Sequence, residues 1–433
     1  MKYKRISLSY RINAFIKASK KYNIFIIFSL FCFLYYPPFM SINIVHIIGI
    51  CSIIYVLISR KTIFSGTQVS FVLSFLMIFL YLAFSVGIVN EQGLSSCATP
   101  IIIIVDFLPF TIYLSDYFKK HNYGLDELFS SILLVGFIQS IVAILSFFIP
   151  DLQHMLVSKL VQNGGIELYY ELAAYRMYGF SSGLTFITPI IQSFLAILAL
   201  VYAQGHSKLY LISSITMAFS AIINARVSIV VLAIGLVLVA LNPKYSSKQR
   251  RNVILGIVLV GLIMFYIVIP LINQFSNHTF LSIFSGFTQI LDFFTSGKRD
   301  IGYFAYVTNK NNYNLPSGIL GVLLGKGTFV MGQNPFGFHS DVGYINDVWF
   351  GGILYILIYY INIFRIIIQM SRRKDDFLFF VAFYLLILFP VLNFKGMVFS
   401  LNGLMGLTII LYLFTSDQKP SGLAVGNIIS REG

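Results

Sequence analysis

Charge is what this sequence has least of. Only 11% of its 433 residues are Asp, Glu, Lys or Arg, against 58% hydrophobic, whereas an average soluble domain is about 25% charged. Too few polar side chains remain to cover a globular surface, which excludes a soluble enzyme, a disordered chain and a nucleic-acid-binding domain. Tryptophan occurs once and cysteine three times. Cys32 and Cys51 fall inside apolar runs and Cys97 in a short connection, with no CxxC or zinc-type spacing. Neither a disulfide framework nor a structural metal is indicated. Acids within apolar runs are scarce too. Asp106 is the one deep acid, and helix packing near Pro109 is its plainest explanation; Asp116 and Arg365 lie near run ends, where an Arg can snorkel. A proton- or ion-coupled pump usually needs several buried acids. No tandem or inverted repeat of the kind many transporters carry is visible either.

What is abundant is apolar length. Runs able to cross a hydrocarbon core of roughly 30 Å cover about 22–38, 41–59, 69–89, 100–118, 127–149, 187–204, 208–224, 226–241, 252–272, 346–369, 377–394 and 398–415. The least distinct boundary separates 208–224 from 226–241, where only Asn224, Ala225 and Arg226 interrupt the run. The pattern predicts an all-α polytopic integral membrane protein of about twelve transmembrane helices. Its net charge of +14 orients the chain, because the basic clusters Arg60-Lys61, Lys119-Lys120, Lys244 to Arg251 and Arg372 to Lys374 all fall on one side of such a topology. That side is then cytoplasmic, as are both termini, and no nucleic-acid partner is expected. Seven basic residues precede Asn23, and with no small-residue cleavage site this reads as an uncleaved signal anchor. Ile6 to Ile16 fits a basic amphipathic helix on the anionic leaflet.

The chain thus divides into a basic N-terminus (1–21), five spans (22–149), a loop (150–186), four spans (187–272), a larger loop (273–345), three spans (346–415) and a cytoplasmic tail (416–433). The two long loops face outward. Loops beyond about 15 residues are usually functional or disordered, and these carry aromatics, glycines and apolar stretches. Met155 to Val161 and Phe280 to Phe294 read as short interfacial helices; Ile319 to Leu324 is an apolar patch.

Several charges on the outer side invite chemistry. Arg226 sits where one span turns back into the next, and a planar, permanent cation at that depth suits a phosphate or pyrophosphate, or else snorkels at a helix end. Arg176 lies in Tyr175-Arg-Met-Tyr-Gly179-Phe-Ser-Ser-Gly183, where glycines and hydroxyls permit close approach of an anion; a salt bridge to Glu167 or Glu171 is the plainer alternative. Arg299, within Lys298-Arg299-Asp300, is a weaker anion-binding candidate in a solvated loop. Gly325-Lys326-Gly327 lacks the GxxxxGK[ST] pattern and strand context of an ATP site. His339-Ser-Asp341 precedes a helix start, so His339 can accept a proton near neutral pH, with Asp341 orienting it or acting as the base itself. Asp347 is expected to stabilise the start of that helix.

The layout and three local patterns resemble the Wzy-type O-antigen and capsule polymerases and the related O-antigen ligases. Arg176-x-x-Gly179 before a span is similar to the family's Arg-x-x-Gly stretch, and Asn224-Ala-Arg226 to its Ser-Arg turn. Gly325-x-Gly327, His339-Ser-Asp341-x-Gly343 and Gly351-Gly352 resemble its closing segment, where many members have His-Asn instead of His-Ser-Asp. The resemblance implies a multi-pass protein of the bacterial inner membrane performing metal-independent glycosyl transfer at the periplasmic face, without a cofactor. Donor and acceptor would be glycans on undecaprenyl pyrophosphate, and further partners would be membrane lipids and a chain-length regulator. His339 and Asp341 would be catalytic, with Arg176, Arg226, Arg299 and Gly179 binding substrate. O-antigen ligation and lipid-linked oligosaccharide flipping are the alternatives. The latter goes with uniformly short loops, which this chain does not have.

Overall fold

A computed structural model describes residues 23–38, 43–59, 64–162, 179–183, 186–225, 227–242, 251, 309–331, 334, 336–373 and 375–417. Among them all regular structure is helical. In chain order the helices are α1 (Ile24–Tyr35), α2 (Ile44–Ile58), α3 (Gly66–Leu82, continued by a π-helical stretch Ala83–Val89), α4 (Thr99–Lys120), α5 (Leu125–Phe148), α6 (Pro150–Gln162), α7 (Ile187–Tyr202), α8 (Leu209–Asn224), α9 (Val227–Leu241), α10 (Ile319–Leu324), α11 (Gly343–Ser371), α12 (Asp376–Leu392) and α13 (Gly403–Asp417). Gly66–Val89, Thr99–Lys120, Leu125–Ser146 and Gly343–Ser371 are long and apolar enough to cross a membrane, and seven apolar helices are shorter. This is a membrane-embedded helical protein. The apolar runs at 22–38 through 226–241 and 346–369 through 398–415 coincide with helices to within a few residues. The run at 252–272, the basic N-terminal stretch with Ile6 to Ile16, and Phe280 to Phe294 lie outside the described residues. The narrow boundary at Ala225 is real: its backbone is extended and ends α8.

Polar side chains mark the points where apolar helices begin, because first-turn N–H groups find no acceptor in hydrocarbon. Asn23 Oδ1 accepts from Phe25 N, and Asn43 Oδ1 from Val45 N. Ser65 and Gln68 cap each other's backbone at the start of α3, Asp375 Oδ1 accepts from Leu378 N, and Asn402 Oδ1 from Leu404 N and Met405 N.

Helix α7 lies at the centre, buried on every face. Tyr384 of α12 stacks on its Phe194 and donates to Val231 O of α9 at 2.6 Å. Ser214 of α8 donates to Ala196 O of α7. Small residues allow closer approach where lipid supplies no hydrophobic drive between helices. A Cβ on Gly403 would stand 1.8 Å from Leu34 O, and one on Gly49 would stand 2.6 Å from Asp106 Oδ1. Outward residues such as Leu57, Met77 and Ile361 are apolar and exposed.

Contacts sort the helix ends into two layers. One is basic: Gln68 donates to both Asp417 oxygens at 3.0 Å, Tyr55 bridges Asp116 and Lys120, and His206 faces Asp126. Arg365 does not snorkel toward this end; it bonds sideways to Ser70 and Ser74 of α3. The opposite layer joins Ser182 N to Tyr35 O and Gly343 N to Asn393 O.

In that opposite layer α11 breaks at Gly352, whose φ of 76° is helix-incompatible. The short helix α10 folds against the break so tightly that a Cβ on Gly352 would stand 2.1 Å from Leu323 O. The freed carbonyls of Trp349 and Phe350 accept from Lys326 N and Gly327 N at 2.6 and 3.0 Å, and Tyr81 donates to Gly351 O at 2.7 Å. Irregular backbone at such a depth is tolerated where protein groups satisfy it.

Candidate functional site

Residues 338–342 have no regular structure, but burial alternates along them and Val342 is extended, so alternate side chains point to opposite sides. Ser340 points inward. Fully buried, it donates to Asn312 O at 2.8 Å, while its backbone N–H donates to Val330 O. Asn346 bolts the same segment down, accepting from Val330 N at 2.9 Å and donating to Ser340 O at 2.7 Å. His339 and Asp341 therefore both point outward. His339 Nε2 lies 3.0 Å from Asp341 Oδ1, and Lys395 Nζ lies 3.1 Å from Asp341 Oδ2. The imidazole is 53% exposed and the carboxylate 33%: open enough for a substrate to reach, enclosed enough to be oriented.

Below this trio lies a buried polar knot. Asp347, 4% exposed, accepts from the Tyr360 hydroxyl and from Asn393 Nδ2. Asn393 Nδ2 also donates to Tyr360 Oη at 2.6 Å, and its Oδ1 accepts from Val398 N. Asp347 does not serve the start of α11, as the sequence led us to expect, because no acid lies in the first turn and Val342 makes no side-chain cap. It pins α11 to the end of α12 and so fixes Lys395, two residues past Asn393.

The segment Gly179–Gly183 reaches the same end of the bundle. Gly179 rests on Gln139 of α5, whose Oε1 accepts from Phe180 N at 3.1 Å. Ser181 and Thr188 share a hydroxyl hydrogen bond. Phe186 lies against Gly396, next to Lys395, where a Cβ would approach its ring to 2.4 Å. His339 and Asp341 are thus gathered with Lys395, Gly396 and Phe186, while Gly179 rests on α5. Arg176, Arg226 and Arg299 lie outside the described residues.

Beside Gly179, the Nε2 of Gln139 is buried without a partner, and among the described residues so are Gln192 Nε2, Ser193 Oγ and Asn224 Oδ1. Each such group carries a desolvation cost, and Asn224 stands two residues before Arg226. Between α2, α3 and α4 runs an apolar groove of about 430 Å³, lined by residues including Ile53, Leu57, Val69, Leu73, Ile104 and Leu108. Among the described residues no three His, Cys, Asp or Glu side chains converge as a metal site.

Lys395 is the member of the trio that sequence reasoning missed. Its only signal was a lone cation closing the apolar run 377–394, 54 positions from its partner. No family model matches the chain, and neither a curated protein nor a solved structure is similar to it.

Proposed function

We propose that the chain is a metal-independent glycosyltransferase of the Wzy-type polymerase class. It joins undecaprenyl-pyrophosphate-linked repeat units of an O-antigen or capsular polysaccharide at the periplasmic face of the inner membrane, with about twelve spans and both termini cytoplasmic. The observation that carries this reading is the outward-facing His339–Asp341–Lys395 trio, in one layer with the Gly179–Gly183 segment and opposite the basic ends of the helices. His339 takes the proton of the acceptor sugar hydroxyl while Asp341 orients the imidazole and offsets its developing charge. Lys395 holds the second oxygen of Asp341 and keeps that carboxylate in place. The hydroxyl oxygen bonds to the anomeric carbon as the bond to pyrophosphate breaks, and the departing electron pair stays on pyrophosphate. Arg176 and Arg226 stabilise that charge, most effectively in a site with little water, with Arg299 a peripheral contact.

The test supplies purified protein in micelles with lipid-linked repeat units and follows the length of the glycan on the lipid. Wild type builds a ladder. Arg176→Ala and Arg226→Ala leave single units, and Lys in either place restores only part of the ladder because an ammonium lacks the planar fork. A full ladder from both Ala variants would sink the assignment of the cations. Absence of any ladder from active, folded wild type, with transfer to a lipid A core acceptor or movement of the units across a bilayer instead, would replace polymerisation with ligation or flipping.

A further inference from the structure

A permanent cation sits in the seam between α3 and α11 with no carboxylate against it among the described residues. Arg365 Nη1 donates to Ser70 Oγ at 3.0 Å, and Nη2 donates to Ser74 Oγ at 3.2 Å and Asn362 Oδ1 at 3.0 Å. All three acceptors are neutral. A guanidinium carries five N–H donors, so two stay uncommitted, and one of these, Nε, is buried. The Nδ2 of Asn362, a residue 6% exposed, is a second kind of buried donor without an acceptor. The carboxylate of Asp417, at the same end of the bundle, is already taken by Gln68.

A full positive charge and orphaned donors at one spot are what an anion would satisfy, since a buried ion is tolerable only when paired. The depth fits a headgroup. Arg365 lies six residues before the end of α11, about 9 Å at 1.5 Å per residue, close to the boundary between headgroups and hydrocarbon. The walls fit chains, because Leu73, Met77 and Ile361 are exposed at 55%, 66% and 63%. Exposed Lys119, Lys120 and Arg372 crowd the same end and draw anionic lipid. We infer that Arg365, Ser70, Ser74 and Asn362 form a binding site for a phosphate group, supplied by the headgroup of an anionic phospholipid whose chains lie along Leu73, Met77 and Ile361. This site lies in the layer opposite His339 and does not depend on the glycosyl-transfer reading.

Native mass spectrometry of the full-length protein released from detergent tests it. Three probes are compared: phosphatidylglycerol, diacylglycerol with the same chains, and inorganic phosphate. Wild type should retain phosphatidylglycerol about tenfold over diacylglycerol, as one charge-assisted contact provides. Arg365→Gln should lose that preference. So should Asn362→Asp, which places an isosteric carboxylate beside the guanidinium and preserves the fold by pairing it. Equal retention of the two lipids by wild type, or undiminished preference in folded Asn362→Asp, overturns the site. Displacement of the lipid by millimolar inorganic phosphate keeps the anion pocket but overturns the lipid as its occupant.

Discussion

Two histidine–aspartate pairs, made of the same groups at nearly the same distance, sit in opposite circumstances. His46 Nδ1 of α2 meets Asp106 Oδ2 of α4 at 2.6 Å, with the carboxylate only 3% exposed. The partners are 60 residues apart, and Gly49 lets the two helices close around them. His339 and Asp341 are two residues apart on one extended strip, both partly open, with Lys395 sharing the acid. The first pair joins helices α2 and α4. The second links Lys395 to a strip that Ser340 and the Asn346 side chain already hold down. What separates the two pairs is therefore their surroundings: one is enclosed between the helices it joins, and the other is open to solvent.

That contrast can be broken in several ways, and the largest effect should fall on rate. His339→Ala is expected to slow chain extension about a hundred- to ten-thousand-fold, the usual worth of a general base, at an unchanged thermal midpoint. His46→Ala should do the reverse, lowering the midpoint while a glycan ladder still forms. If His339→Gln keeps a normal ladder while Asp341→Asn loses it, the base is Asp341. If both keep it, the strip only positions substrate. Next in size is Gly49→Val, because the new side chain must displace both Asp106 Oδ1 and the α4 backbone 3.0 Å away. Overpacking of this kind costs about 1–3 kcal/mol, read as earlier thermal unfolding in detergent; a midpoint equal to wild type would mean that the helices part easily and the pair holds little. Lys395→Met should cost less than about 1 kcal/mol of stability, since the pair with Asp341 is partly solvated, yet shorten the ladder.

The smallest effect belongs to a third such pair at the basic end. The Asp126 carboxylate, 3.9 Å away, raises the pKa of His206 above the usual histidine value, against a smaller opposing cost of burial. A raised value means the folded state favours the charged ring. Its contribution is complete at pH below the ordinary histidine range and is lost as pH climbs through the raised value. His206→Gln should flatten a slight fall in thermal midpoint between about pH 6 and 8, and an unaltered slope would remove the pair from the account.

Apolar length made most helices legible before any coordinates, and Ala225 as a break between two of them, because span length and polar interruption are local properties. The proximity of His339 and Asp341 also follows from an extended strip with two-residue alternation. Lys395, Asn393 and Tyr360 were illegible, since their meaning lies in contacts across 13 to 54 positions. Arg365 read as a snorkelling cation because hydropathy cannot register two serines on a neighbouring helix. Asp347 read as a helix-start charge because hydropathy begins that span at about 346, whereas the helix starts at Gly343 and the packing against Asn393 decides where Asp347 points.

The break at Gly352 has one further consequence. The part before it is tied to Asn393, Pro390 and the strip carrying His339; the part beyond Tyr360, which still reaches back to Asp347 and Asn393, is tied to α3 and α13 through Ser70, Ser74 and Tyr412. The carbonyls between the two parts are already held by Lys326, Gly327 and Tyr81. One continuous apolar helix thus keeps two separate sets of obligations. Damage to the lower part is a matter of anchorage, damage to the upper part a matter of aim.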